Sequence, residues 1–386
     1  MTGRGGFKLF SVSGIKIMVH PSWIVIFALV IATLASVGGA DAGGRLSLAP
    51  RWIVAFLVAS LFFGSVLVHE LSHAFVARRY GVKVSQISLF IFGGVASLDE
   101  EAPSARAEGL ISVAGPLASG LLAAGFFGVA SIASRLDGDL PDVVFWTCSW
   151  LALSNLLLAG FNLIPGFPMD GGRILRAILW GITRDFMRAT RIASVLGRIV
   201  GQLVIMGGLF WSLEGDVPDG IWLVLIGWFL SRAATMSYKQ AALERLVEGI
   251  HVGDVMEENV PVVNPNLTLD TLADQHLMTG QSGFYAVTAG DQLIGTIDVN
   301  QIRRVPRNQW TTTRVGEVMR QGDAIVTLTQ PQPIMDAVSR FEQSGAAAFP
   351  VVAVDDARRL LGMVTREALL LALQKRAKLQ AQSTPP

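Results

Sequence analysis

Long apolar runs dominate the first two-thirds of the chain. Six of them, at about 17–38, 52–77, 108–133, 142–164, 192–213 and 219–236, approach the roughly twenty apolar residues that a helix needs to cross a bilayer. Polar residues interrupt the pattern at His69-Glu70-Leu71-Ser72-His73 in the second run and from Asn162 to Gly172 at the end of the fourth. A lipid-facing helix would avoid both. Between the second and third runs, Val82 to Leu98 is rich in β-formers and broken by Gly93-Gly94, so it reads as a hairpin or re-entrant strand. Non-helical backbone at membrane depth needs protein or water to satisfy its hydrogen bonds, so this segment should line a cavity. After about Tyr238 the pattern becomes that of a soluble domain, short strands alternating with helices. There Val252-Gly253-Asp254-Val255-Met256 recurs as Val315-Gly316-Glu317-Val318-Met319, and Leu293-Ile294-Gly295-Thr296-Ile297 returns in outline as Leu361-Gly362-Met363-Val364. A repeat of this size implies two similar units packed together. The last stretch, Lys375 to Pro386, is polar and should fray.

Composition agrees with a membrane portion followed by a soluble one. Of 386 residues, 51% are hydrophobic and 16% charged, against roughly 25% charged in an average soluble chain. A net charge of +1 offers no bulk argument for nucleic-acid binding. The sole cysteine, Cys148, excludes an intrachain disulfide or a multi-cysteine metal site and reads as a small buried hydrophobe. Arg4, Lys8 and Lys16 before the first run suggest a signal peptide superficially. That run is long enough to span and lacks a persuasive small-residue cleavage site, so it reads as a retained first span. Lysine and arginine in short loops set orientation. The N-terminal arm, the 78–83 stretch (Arg78, Arg79, Lys83) and the 173–191 stretch are basic, whereas Glu214 to Asp219 carries no positive charge. Both ends of the chain are thus expected in the cytoplasm, although Arg45 and Arg51 in the first loop blur the pattern.

The chemistry concentrates in His69-Glu70-Leu71-Ser72-His73. Histidines four apart on a helix project from one face, close enough to bind one zinc, and the glutamate between them can take a proton from the metal's water. Three ionisable residues in five near the cytoplasmic end of a span are costly without a function, the bland alternative being a helix end snorkelling at the interface. A catalytic zinc wants a third protein ligand and an open position. His251 and His276 fall in the tail and His20 starts the first span, which leaves Asp170 as the better candidate. Two prolines and three glycines between Pro165 and Gly172 break the fourth span and place this carboxylate at the depth of His69. The alternative is a loop aspartate capping a helix over Gly172–Trp180.

These motifs resemble those of the site-2 protease family of intramembrane zinc metalloproteases. Besides His69 to His73, the Asn162…Pro165…Pro168…Asp170-Gly171 motif, Phe92-Gly93-Gly94, Ala114-Gly115-Pro116-Leu117-Ala118-Ser119 and His20-Pro21-Ser22-Trp23 look like family patterns. The resemblance implies a polytopic α-helical membrane protein of six transmembrane helices with a re-entrant β-hairpin. It implies one zinc per chain on His69, His73 and Asp170, Glu70 as catalytic base, and Asn162 hydrogen-bonding the substrate or oxyanion. The strand edge at Phe92, Gly93 and Gly94 would take an unwound substrate by strand addition. Family members often carry Asn where Ser119 stands, which leaves that role open, as it does for His20.

The tail resembles a pair of cystathionine-β-synthase (CBS) domains, at about 250–306 and 313–375, making a cytoplasmic α/β domain over 238–386 behind a membrane domain over 1–237. Such pairs often bind adenine nucleotides and regulate an attached domain. The family's ribose-contacting pattern is broken in both copies, which offer Gly295, Asp298 and Gln301, and Gly362, Thr365 and Ala368. Asp298 and Thr365 are the cofactor candidates, with a homodimerisation module as the alternative. By resemblance the protein sits in the cell membrane among lipid and cuts a single-span membrane protein, such as an anti-sigma factor or a remnant signal peptide. Two other classes compete: a CBS-linked ion transporter, which predicts ionisable residues along several spans, and a silent scaffold, which should have lost Glu70 or a ligand.

Overall fold

The computed structural model describes residues 6–41, 48–91, 93–98, 101–215, 217–277 and 283–383. They form two compact units that divide after Ala241. The first opens with strands β1 (Phe7–Val12) and β2 (Ile15–Val19) and helix α1 (Pro21–Asp41). The expected span over 17–38 therefore begins late. Ile15, Ile17 and Val19 are fully buried while Lys16 between them is exposed, the period of two that a strand satisfies and a helix does not. Pro21 then takes the first helical position, where its missing N–H costs nothing. His20 Nδ1 accepts a hydrogen bond from Ser22 N at 3.2 Å, a cap for that helix.

Helices α2 (Leu48–Arg79), α3 (Ala105–Ala133) and α4 (Asp139–Asn162) follow, then the short α5 (Asp170–Thr183), α6 (Phe186–Leu213) and α7 (Val217–Val247). Among the described residues five helices, α2, α3, α4, α6 and α7, are long and apolar enough to cross a membrane, rather than six. The apolar stretch described in α1 is Pro21–Ser36. In lipid a backbone must satisfy its own hydrogen bonds, which is why such runs become helices. Their outward positions, Leu121, Phe127, Leu203 and Phe210 among them, are exposed and apolar. Small residues sit where backbones meet. A Cβ on Gly201 would lie 2.8 Å from the Gly227 carbonyl oxygen, and one on Gly208 would lie 2.7 Å from that of Gly220. Glycines two turns apart on α6 and on α7 thus bring the two helices into backbone contact.

Strands β3 (Val84–Phe90) and β4 (Gly93–Leu98) form an antiparallel hairpin, and β3 also pairs in parallel with β2, Lys16 opposite Gln86 and Val19 opposite Leu89. The sheet order is β1-β2-β3-β4, so β4 is an edge strand. Ile15, Ile17, Val84 and Ile87 bury one face of the sheet against Ala74 and Ala77 of α2 and Ile111 of α3. Phe92 lies outside the described residues.

The second unit holds two three-stranded sheets. One comprises β5 (Val262–Val263), β6 (Phe284–Ala289) and β7 (Gln292–Asp298); the other comprises β8 (Leu328–Thr329), β9 (Ala348–Val352) and β10 (Leu360–Thr365). In each, a parallel pair is followed by an antiparallel one. The copies exchange contacts reciprocally. Glu257, just past the first repeat motif, bridges Met363 of the second copy, and Arg320, just past the second motif, bridges Thr296 of the first. Phe284, Ala348 and Met363 pack together between the copies.

Candidate metal centre

His69 and His73, four apart on α2, are 3% and 5% exposed and turn their Nε2 atoms toward each other at 3.2 Å. Each ring is fixed from behind. His73 Nδ1 is 2.6 Å from the Ile111 carbonyl oxygen. A carbonyl only accepts, so Nδ1 carries the proton and Nε2 presents its lone pair to the site. His69 Nδ1 is 3.0 Å from Ser119 Oγ, which orients this ring in the same sense. Both partners belong to α3, as does Gly115, where a Cβ would sit 2.6 Å from His69 Nε2 and closer still to His73 Nε2. Helix α3 can approach the imidazoles this closely because position 115 has no side chain.

Asp170 completes the group. Its Oδ2 lies 3.1 Å from each Nε2. The span break that delivers it depends on glycines, since a Cβ at Gly171 would overlap the Leu163 and Ile164 carbonyls and one at Gly172 would overlap Gly166. Gly166 in turn lies against Gly197 of α6, and Phe167 N bonds the Ala193 carbonyl at 3.2 Å. The helix expected over Gly172–Trp180 runs from Asp170 to Thr183 with Met169 as its N-cap, so Asp170 occupies its first turn and turns its carboxylate to the histidines.

The ligand atoms of His69, His73 and Asp170 all lie within 4.8 Å of one another. A tetrahedral zinc bound at about 2.0–2.1 Å needs ligand atoms about 3.3 Å apart, and here the separations are 3.1 to 3.2 Å. Two neutral imidazoles and a carboxylate are a donor set that suits zinc, so the residues present fit the ion. Glu70 follows His69 on α2 and is half-buried. Strand β4 lies over it: a Cβ on Gly94 would fall 2.9 Å from Glu70 Cδ and 3.0 Å from Oε1. Asn162 ends α4, half-buried, its Nδ2 donating to the Leu158 carbonyl at 3.0 Å. Gly93 begins β4 with φ +126°, a conformation open to glycine. His20, just before α1, donates its backbone N–H to the Leu89 carbonyl at 2.9 Å and does not belong to the group of three.

Sequence reasoning passed over Glu108 of α3, which is fully buried and takes a hydrogen bond from Arg176 Nε at 2.6 Å. A charged residue at the edge of an apolar run was the available signal. In the second unit the two nucleotide candidates cap helices. Asp298 Oδ1 accepts from Gln301 N at 2.9 Å and its Oδ2 lies 3.4 Å from Arg320 Nη2. Thr365 Oγ1 accepts from Ala368 N at 3.0 Å.

Comparison with known proteins gives this site a context. The model of peptidase family M50 matches residues 56–144 and 138–206, and that of the CBS domain matches 252–308 and 315–375. A Synechocystis protein named as a zinc metalloprotease is 31% identical over 97% of both chains. A zinc metalloprotease of Methanocaldococcus jannaschii is 32% identical over 77% of this chain and 79% of its own. A solved site-2 protease from the same archaeon is 33% identical, covers 60% of this chain and 95% of that one, and superposes with a TM-score of 0.43. With this metal-binding pattern, these family matches and relatives that match over most of its length, the chain belongs to peptidase family M50, the site-2 proteases, and is a zinc metalloprotease carrying a tandem pair of CBS domains.

Proposed function

We propose that this protein hydrolyses peptide bonds in or near the transmembrane segment of single-span membrane proteins. The observation that carries the reading is the convergence of Asp170 with His69 and His73, which flank Glu70 on a helix apolar enough to cross a membrane. Zinc, held by those three side chains, would polarise a water and the scissile carbonyl. Glu70 takes the proton of the attacking water and hands it to the leaving amine, so the proton is conserved across the step. The Ile111 carbonyl keeps His73 in the tautomer that offers Nε2, and Ser119 holds the His69 ring with its Nε2 toward the site. Asn162 spends one Nδ2 hydrogen on Leu158 and has a second for the oxyanion or the substrate backbone.

A substrate helix must unwind before its carbonyl can be reached, and its freed backbone then needs partners. The outer edge of β4, the strand whose Gly94 lies against Glu70, could provide them by strand addition, with Gly93 and Gly94 allowing close approach. In this reading α1 is a sixth span, the hairpin is re-entrant, both termini lie in the cytoplasm of a cell-membrane protein, and the basic 78–83 and 173–191 segments support that orientation. Residues 1–237 then form the protease and 238–386 a regulatory pair. Asp298 and Thr365, engaged as helix caps in a broken ribose pattern, are the candidates for contacting an adenine nucleotide at this pair.

The test is co-expression of a tagged single-span substrate, an anti-sigma factor or remnant signal peptide, with wild type or Glu70→Gln, measuring cleavage and zinc. Cleavage by wild type alone, with zinc retained in both, supports the reading. Equal cleavage by the variant removes Glu70 as base.

A further inference from the structure

We propose that Glu108 is a positioning residue for the metal centre: it locks α5 onto α3, so that Asp170 meets the two histidines. This rests on the reading of His69, His73 and Asp170 as metal ligands. Helix α5 starts with Asp170 and carries Arg173 and Arg176 on its next turns. Both arginines turn to one carboxylate oxygen of Glu108. Arg176 donates to Oε1 through Nε at 2.6 Å and also through Nη2, and Arg173 Nε lies 4.0 Å from the same atom. Glu108 is fully buried, and among the described residues nothing hydrogen-bonds its Oε2. A charge that deep is costly unless it is paired, so the pairing restricts where α5 can lie.

Two further observations link this clamp to the ligands. The Arg176 guanidinium stacks over Phe167, in the loop that delivers Asp170, with its carbon 5.1 Å from the ring centroid, and over Phe186 at the start of α6 at 4.6 Å. On α3, Glu108 shares a face with Ile111, Gly115 and Ser119, spaced three and four apart. Those residues back His73, admit both rings and hold His69 respectively. Helix α3 is therefore a template that registers the aspartate helix and the histidine helix against each other, with Glu108 as its hold on the former.

The experiment is a double-mutant cycle on the full chain purified in detergent. Zinc affinity is measured by chelator competition for wild type, Glu108→Gln, Asp170→Asn and the double variant, with the cobalt(II) absorption spectrum as a second readout. Glu108→Gln should weaken zinc by about 10–100-fold and move the cobalt spectrum toward that of Asp170→Asn. The double variant should bind no more weakly than Asp170→Asn alone, because Glu108 acts through Asp170. Losses that multiply, or wild-type affinity in Glu108→Gln, overturn the proposal and leave the ligand reading standing. Wild-type affinity in Asp170→Asn overturns the ligand reading, and the proposal with it. Should Glu108→Gln fail to fold, Arg176→Lys keeps the charge without the planar fork. It should weaken zinc in the same non-additive way, and wild-type affinity there would equally overturn the proposal.

Discussion

Replacing Gly115 by alanine separates metal binding from the rest of the site. The new Cβ would lie 2.6 Å from His69 Nε2, where ordinary contact begins at 3.4 Å, a shortfall of about 0.8 Å. It would press on His73 Nε2 as well, so neither ring can yield toward the other. Metal–ligand distances tolerate roughly 0.2 Å, so at least one imidazole leaves the coordination geometry. Zinc affinity should fall by about 100-fold or more, given that even outer partners of a ligand are worth about 10–100-fold. The control is Gly94→Ala, whose Cβ meets Glu70 Cγ at 2.5 Å and touches none of the three ligands among its nearest atoms. That variant should keep zinc and lose cleavage by about 10²–10⁴-fold, the usual worth of a general base. The assay is zinc per chain by elemental mass spectrometry on detergent-purified protein, alongside cleavage of a tagged single-span substrate. Stoichiometric zinc at wild-type affinity in Gly115→Ala would refute the reasoning. So would full cleavage in Gly94→Ala.

Other expectations follow from the same contacts. Asn162→Ala should leave zinc content unchanged and slow cleavage by about 10²–10³-fold, as for an oxyanion donor; an unchanged rate removes Asn162 from the site. Gly208→Leu forces a side chain into the backbone contact between α6 and α7, at a cost of about 1–3 kcal/mol or more, and should lower the unfolding temperature in detergent. Thr365→Ala removes a helix N-cap worth about 1 kcal/mol. It should shift the melting of the second unit by a few degrees without altering zinc content.

Much of the site was legible because its chemistry is local. The four-residue spacing of His69 and His73 puts them on one helix face wherever that helix lies, and Glu70 travels with them. The glycines and prolines before and after Asp170 marked the break between α4 and α5 because no apolar helix would keep them. The hairpin at β3 and β4 was visible in its β-formers and glycine pair. The N-terminal strands were missed although Ile15, Lys16, Ile17, Met18 and Val19 alternate. The alternation is short and runs straight into an apolar helix, so hydropathy merged the two.

What the sequence by itself determined was what adjacent residues can settle: the apolar runs, the spacing of His69 and His73 with Glu70 between them, and the repeat in the tail. Tertiary structure decided which distant side chains meet. Asp170 reaches the histidines across about a hundred positions, and Ser119 and Ile111 orient their rings from a third helix. Gly115 and Gly94 matter through what their missing Cβ atoms would strike. Glu108, an unremarked charge at the edge of a span, becomes the partner of two arginines on another helix. Spacing along a helix fixes a face, but which faces come together depends on packing over the whole unit, and one sequence pattern is compatible with several such packings.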